Sequence, residues 1–284
     1  MKHFTLNNGV QMPTVGFGVF QMPDAETTRK TVEEAIATGY RLIDTAQAYD
    51  NEEAVGQAIK ASGVPREELF ITTKLWISDM SYENAKKAFH ASLTKLGLEY
   101  VDLYLLHQPV GDVFGAWRAL EELHQEGLIR AIGVSNFKND QIANLSLFNT
   151  VTPAVNQIEL HVFNQKKEEV AYLQSKGIQT ESWGAFAEGQ FDIFKNPTLL
   201  SIAEKHGKTT AQVMLRWQLQ LGVVSLSKST SPERVRQNFE IFDFELTAED
   251  MAAIEALNAD RTVFADHHAA STVELLAGFV GKSF

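Results

Sequence analysis

The chain has 284 residues, 44% of them hydrophobic and 21% charged. That is the balance of a soluble globular protein with room for one large α/β domain or two smaller ones. A formal net charge of −11 argues against a general binder of nucleic acid or anionic membrane, though not against a local basic pocket for a phosphate. With no cysteine in the chain, disulfides, thiolate metal sites and Cys nucleophiles are excluded, which fits a cytoplasmic setting. No signal-like apolar stretch opens the sequence, and no apolar run approaches the roughly 20 residues of a membrane helix.

In chain order, Phe4-Thr5-Leu6 and Val10-Gln11-Met12 flank Asn7-Asn8-Gly9, the pattern of a small β-hairpin with an Asn-Gly turn. Strand-like and helix-like stretches then alternate. Eight candidate strands centre on Val15, Leu42, Ile71, Leu103, Ile132, Val155, Ile178 and Val224. Amphipathic helices are predicted over Ala25–Thr38, Glu52–Ser62, Tyr82–Leu96 and 113–126. Each of these four is followed by a glycine that can cap its C-terminus: Gly39, Gly63, Gly97 and Gly127. Further helices are predicted over 140–148, 166–176 and Pro197–His206. Two more, at Pro232–Phe239 and 248–257, lie near the end. Beyond residue 260 only a short helical piece around 273–277 is expected.

Eight β/α units in a chain of this size predict a (β/α)₈ barrel with an N-terminal hairpin and two extra C-terminal helices. A doubly wound sheet is the rival. No linker or break in composition divides residues 1–284, which favours one domain.

The chemistry-bearing residues gather at the ends of these strands. Asp44 closes Arg41-Leu42-Ile43, with Tyr49 in the following turn. Lys74 closes Leu69-Phe70-Ile71-Thr72-Thr73, and His107 closes Val101-Asp102-Leu103-Tyr104-Leu105-Leu106. On successive parallel strands all four would share one rim of the sheet, where α/β proteins keep their chemistry. A phenol beside a cation can become a usable proton donor near neutral pH. Other polar strand ends are Ser135-Asn136 and Gln157, side chains able to hold an amide by paired hydrogen bonds. Trp183 could stack on a flat ring.

Gly16-Phe17-Gly18 lacks the third glycine of a dinucleotide fingerprint, so a strand end where a ligand approaches the backbone is the better reading. Lys228-Ser229-Thr230-Ser231-Pro232-Glu233-Arg234 follows the last strand. Ser231 can cap a helix, Pro232 suits its first turn, and Lys228 and Arg234 flank an N-terminus suited to a phosphate. His267 and His268 are neighbours with no third partner in view, so no metal is expected.

These stretches resemble the aldo-keto reductases over essentially the whole chain. The resemblance is carried by Gly39-Tyr40-Arg41-Leu42-Ile43-Asp44-Thr45-Ala46, Tyr49-Asp50-Asn51-Glu52 and Thr72-Thr73-Lys74-Leu75-Trp76. Asp102-Leu103-Tyr104-Leu105-Leu106-His107, Ile132-Gly133-Val134-Ser135-Asn136-Phe137 and Lys228-Ser229 complete it. It implies a barrel that binds NADPH without a Rossmann domain and reduces aldehydes and ketones to alcohols. Tyr49 would donate the proton, Lys74 would acidify it, Asp44 would hold Lys74, and His107 would orient the carbonyl.

By the same resemblance, Ser135, Asn136 and Gln157 would contact the nicotinamide carboxamide and Trp183 would stack on the ring. Lys228, Ser229 and Arg234 would clamp the adenosine 2′-phosphate, with Asn238 near the adenine. Phe20, Trp76, Gln108 and the tail around Phe264 would line the substrate pocket. The family is mostly monomeric, and small ketoaldehydes such as methylglyoxal, or keto sugars, are the expected substrates. An NADPH-binding sensor with slow turnover is the alternative; an unrelated barrel isomerase or metal hydrolase is a third reading.

Four positions depart from the family pattern. Gln108 replaces a frequent Trp and makes one pocket wall more polar. Ser227 replaces a frequent Pro and would loosen its loop. Gly184-Ala185-Phe186-Ala187-Glu188-Gly189 replaces a Pro-Leu-Gly-type loop and sets the Glu188 carboxylate where it could repel a pyrophosphate. Gln237 replaces a frequent Glu near the adenine.

Overall fold

The computed structural model describes residues 2–22, 24–264, 266–267 and 269–280. A hairpin comes first, β1 (His3–Thr5) antiparallel to β2 (Gln11–Pro13) with Thr5 opposite Gln11. Gly9, at φ 85°, donates its N–H to the Leu6 carbonyl and closes the turn. Four units follow: β3 (Val15–Gly18) with α1 (Ala25–Thr38), β4 (Leu42–Asp44) with α2 (Glu52–Ser62), β5 (Phe70–Leu75) with α3 (Tyr82–Leu96), and β6 (Val101–Leu106) with α4 (Val113–Gln125). Next come β7 (Ile129–Ser135) with α5 (Asn139–Leu147) and β8 (Val155–Glu159) with α6 (Lys167–Ser175). After β9 (Gln179–Trp183) stand two helices, α7 (Pro197–His206) and α8 (Thr210–Gln220). The eighth unit is β10 (Val224–Ser227) with α9 (Pro232–Phe239), and α10 (Ala248–Glu255) and α11 (Ala270–Ala277) lie beyond it.

Strands β3 to β10 pair in parallel and close on themselves, β10 meeting β3 with Ser225 opposite Val15. The barrel, not the doubly wound sheet, is the fold. The glycine caps act as the sequence implies: Gly63 and Gly97 take left-handed φ values of 66° and 64° where a side chain would be strained.

Three details differ from the sequence reading. The seventh barrel strand starts one residue after Ile178. Residues 232–239 complete the eighth unit, so the extra helices are 248–255 and 270–277. Helix α8 has no counterpart in the sequence reading. Its signal is a capping box, with the Thr209 hydroxyl accepting from the Gln212 N–H while the Gln212 side chain accepts from the Thr209 N–H. It was hidden because it follows α7 after only three residues, without a strand between.

Strand alternation explains how the site is built. On β6, Leu103 and Leu105 point inward and pack with Leu42, Phe70 and Val224. Tyr104 points outward against Phe89 of α3. Leu6 and Met12 of the hairpin join the inner cluster and fill one end of the barrel. Gly16 belongs to this layer because a Cβ there would lie 2.3 Å from Leu42 Cδ2 and 2.6 Å from Leu226 Cδ2. Further toward the carboxyl ends, the inward positions are Gly18, Asp44, Lys74, His107, Gln157, Glu181 and Lys228. Polar groups thus replace hydrocarbon at the carboxyl ends.

The helical ring is packed tightly enough to exclude a methyl group. A Cβ at Gly56 of α2 would come within 2.2 Å of the Leu96 carbonyl oxygen at the end of α3. Gly56→Ala therefore forces two helices apart and is expected to cost about 1–3 kcal/mol. A urea midpoint equal to that of the unaltered protein would contradict this packing.

Candidate active site

After β4 the chain makes a 3₁₀ turn, Gln47–Tyr49, and Asp50 follows at φ 52°. Asn51 holds this turn: its amide donates to the Val19 carbonyl at 2.9 Å, and its oxygen accepts from the Thr45 hydroxyl at 2.7 Å. Gln47 ties it to the next unit by accepting the Trp76 N–H at 2.9 Å. The turn brings the Tyr49 hydroxyl to 3.4 Å from Lys74 Nζ. Lys74 is fully buried and donates to Asp44 Oδ1 at 2.6 Å and to the Thr45 carbonyl at 3.0 Å. His107 stands edge-on to both Tyr49 and Trp76, with ring centroids 5.6 and 5.1 Å apart. The four residues named from sequence do meet at one rim.

Burial sets much of their electrostatics. It pushes the Tyr49 phenol up, and Lys74 pulls it only part of the way back. The acidified phenol expected from sequence is therefore not the net result in this structure. Burial would lower Lys74, but Asp44 and Tyr49 outweigh it, and the ammonium lies above its ordinary value. Burial, then Lys74 and His267, hold His107 well below the ordinary imidazole value, so the ring is neutral at pH 7.

A cavity of about 520 Å³ opens over these groups and runs toward Lys228 and Arg234, both of which line it. Phe20, Trp76 and Gln108 line its other end. Neither Lys228 nor Arg234 has an ion-pair partner among the described residues. The Ser231 hydroxyl caps α9 at 3.5 Å from the Arg234 N–H. Ser229 accepts from the Ser231 N–H at 3.1 Å and, like the buried Asn238, lies off the cavity wall. Ser227 is buried with its hydroxyl 3.3 Å from that of Tyr40, so it anchors the strand end where a looser loop was expected. Glu188 lines the cavity at φ 50°, and Gln237 turns to Glu233 on the exposed face of α9.

Between the two ends, Trp183 donates from Nε1 to Asn136 Oδ1 at 2.8 Å, which fixes the indole. Asn136 takes φ 64°, and Ser135 donates to the Gln157 carbonyl at 2.9 Å. The Gln157 amide nitrogen donates to Asp44 Oδ2 at 3.0 Å and to Glu181 Oε2 at 2.7 Å. Both its hydrogens are thereby used, and its side-chain oxygen, distinct from the backbone carbonyl that Ser135 meets, is left to face the cavity.

Glu159 and Glu181 escaped the sequence reading. Strand alternation could have found them, since each lies two residues from a residue already singled out, Gln157 and Trp183. Glu159 accepts from His161 at 3.0 Å, the Thr262 hydroxyl at 2.5 Å and the Val263 N–H at 2.8 Å. It thus clamps the tail to the rim. Burial favours its neutral form, but these three hydrogen bonds outweigh that and hold the carboxyl below its ordinary value. Past the clamp, Phe264 and His267 pack on Trp183 at 5.5 and 5.8 Å. Phe264 is where sequence expected it; His268 lies outside the described residues.

A parallel barrel with phenol, ammonium, carboxylate and imidazole on its carboxyl rim is the frame of a carbonyl-handling oxidoreductase. Residues 14–259 match the aldo/keto reductase family, and the chain belongs to it. Glyoxal reductase of Bacillus subtilis is 49% identical, the match covering 91% of this chain and 93% of the relative. Morphine 6-dehydrogenase of Pseudomonas putida is 46% identical over 89% and 90%. Among solved structures, an aldo-keto reductase from a deep-sea metagenome library superposes with a TM-score of 0.92 at 41% identity, covering 94% of this chain and 99% of the other. The Bombyx mori aldo-keto reductase in complex with NADP gives 0.89 at 37%, covering 93% and 94%.

The tail clamp makes its own prediction. Glu159→Gln keeps the shape but loses the charge behind three hydrogen bonds, a local loss of about 1–3 kcal/mol. Amide exchange at Val263 should quicken while exchange in the barrel strands stays unchanged. Equal protection of Val263 in the two proteins would reject the clamp.

Proposed function

We propose that this enzyme uses NADPH to reduce small aldehydes and ketones to alcohols, with Tyr49 giving the proton to the carbonyl oxygen. The observation that carries this reading is one continuous cavity with the Tyr49–Lys74–Asp44 chain and neutral His107 at one end and two cations without an ion-pair partner among the described residues at the other. A hydride source with a phosphorylated tail fits both ends. The exposed oxygen of Gln157 and the hydroxyl of Ser135 can meet a carboxamide, the Trp183 indole a flat ring, and Lys228 and Arg234 a phosphate. When bound, NADPH supplies the hydride.

The protein's own groups supply the rest. Trp76 and Phe20 wall the pocket with hydrocarbon, and Gln108 offers one polar group, which suits a short carbonyl compound bearing a second oxygen. The glyoxal reductase relative points the same way. Water in the cavity can satisfy Nε2 of His107, whereas buried Nδ1 has no hydrogen-bond partner among the described residues. The imidazole N–H therefore belongs on Nε2, where it donates to the carbonyl oxygen and polarises it. As the carbonyl carbon gains hydride, its oxygen takes the Tyr49 proton. Lys74 stabilises the resulting phenolate, and Asp44 keeps the ammonium in place.

Tyr49→Phe should retain NADPH affinity within about threefold and lose ~10²–10⁴ in turnover of methylglyoxal, the usual worth of a positioned acid. Turnover within tenfold of the unaltered enzyme would sink the assignment. Lys228→Ala should weaken NADPH by roughly 10- to 100-fold, as expected for one charge-assisted bond to phosphate, and change NADH by less than about twofold. Equal losses for the two nucleotides would reject a 2′-phosphate site.

A further inference from the structure

Beneath the catalytic rim, Glu181 is fully buried inside the barrel on β9. It stands opposite Gln157 in the register of β8 and β9, and both side chains point inward. Its Oε2 accepts from the Gln157 amide at 2.7 Å, and its Oε1 has no hydrogen-bond partner among the described residues. The same amide nitrogen donates to Asp44 Oδ2 at 3.0 Å. Gln157 therefore bridges two carboxyl groups, one of which already carries the Lys74 ion pair at 2.6 Å. If both were ionised, two negative charges would share one ammonium in a dry barrel.

The charged and titratable groups that face Glu181 are few. Strand β4 presents Asp44, β5 presents Lys74, and Tyr49 stands in the turn after β4. Strand β8 presents uncharged Gln157, and β10 sets Val224 opposite Glu181 and carries no titratable residue. Helix α6 covers β9 from outside, so its Lys167, Glu168, Glu169 and Tyr172 lie beyond the barrel wall.

We infer that Glu181 is a positioning residue of the reaction, a neutral carboxyl that orients Gln157 and Asp44 and, on ionising, holds the Tyr49 phenol protonated. The inference rests on the reductase reading above. Burial, then the Asp44 charge, push Glu181 up to about 8, with Gln157 and Lys74 opposing. At neutral pH the Asp44, Lys74 and Glu181 set is then uncharged overall. As pH rises past that value the set becomes negative, and Glu181 raises the Tyr49 phenol further. Glu181 thus gives up its proton before Tyr49 does, and the acid needed for reduction survives into more alkaline solution.

The test compares the full-length enzyme with Glu181→Gln, and with Glu181→Met should the first variant fail to fold. Tyr49 is titrated by tyrosinate difference absorbance of each protein against its Tyr49→Phe version, which needs no turnover. The Tyr49 midpoint should fall by half a pH unit or more in the Glu181 variants, and the alkaline limb of kcat/KM for carbonyl reduction should move down with it. A merely structural role would lower the plateau and leave both midpoints in place, which would overturn the inference. Stability gives an independent readout. A carboxyl raised from 4.5 to about 8 contributes stability that is complete below 4.5 and lost as pH rises through 8. The melting advantage of the unaltered protein over Glu181→Gln should therefore shrink between those values, and a constant difference from pH 5 to 9 would also overturn it. If the unaltered enzyme reduces no carbonyl with NADPH, the reductase reading falls, while the absorbance titration still decides the role of Glu181.

Discussion

The buried ion pair of Lys74 and Asp44 is the constraint around which the site is arranged. Both side chains are shut off from water, and their 2.6 Å contact must repay a desolvation cost of several kcal/mol per ion. Such a pair persists only where further hydrogen bonds complete it. Thr45 supplies a carbonyl to the ammonium, and Gln157 an amide to the carboxylate. The turn that carries Tyr49 is in turn locked by Asn51 and Gln47, so the phenol meets a cation that cannot swing away. Removing either member of the pair leaves the other charge without its partner in a dry barrel, where it costs most.

The parallel barrel makes this arrangement possible. Alternate residues on a strand face the same way, so a hydrocarbon layer of Leu42, Phe70, Leu103 and Val224 lies directly below a polar layer. That contrast was legible in the sequence wherever an apolar run ended in a charged or aromatic group, as at Asp44, Lys74 and His107. The capping glycines marked the first four helices for the same local reason. What escaped was non-local or weakly punctuated. Helix α8 follows α7 with no strand between them, so its capping box stood without the strand that separates the other units. Glu181 and Glu159 looked like ordinary polar residues because the meaning of each comes from another strand or from the tail, more than twenty residues away in the case of Gln157 and more than a hundred in the case of Thr262.

The positions that depart from the family pattern show how local chemistry decides which substitutions matter. Ser227 cannot supply the stiffness of proline, yet its hydroxyl lies within hydrogen-bond distance of Tyr40, whose ring packs on Phe239 of α9. The end of β10 is thereby tied to the helix whose N-terminus carries Arg234. Glu188 has no comparable anchor and takes a left-handed conformation that a residue with a side chain adopts at some cost. Ala187, Phe191 and Asp192 do the same, so strain is concentrated in the one loop that overlooks the middle of the cavity. With a net charge of −11 on the chain, the local field of Lys228 and Arg234 matters more than the global one. At physiological ionic strength, screening over about 8 Å confines distant carboxylates to a minor role.

Strands β8 and β9 bind the two levels of the site to each other. Gln157 and Glu181 lie across from one another at the floor, and one step further along the same strands Glu159 and Trp183 lie across from one another at the rim. The floor pair reaches Asp44 through the Gln157 amide, and the rim pair holds the tail and the indole on which Phe264 packs. A shift in the register or spacing of these strands would thus act on the surroundings of Tyr49, the proposed proton donor, and on the wall of the pocket together. The acid chemistry and the shape of the substrate site are for that reason not separable parts of this barrel. In the inference drawn above, Glu181 acts on turnover without reaching the cavity, through the Gln157 amide that it shares with Asp44.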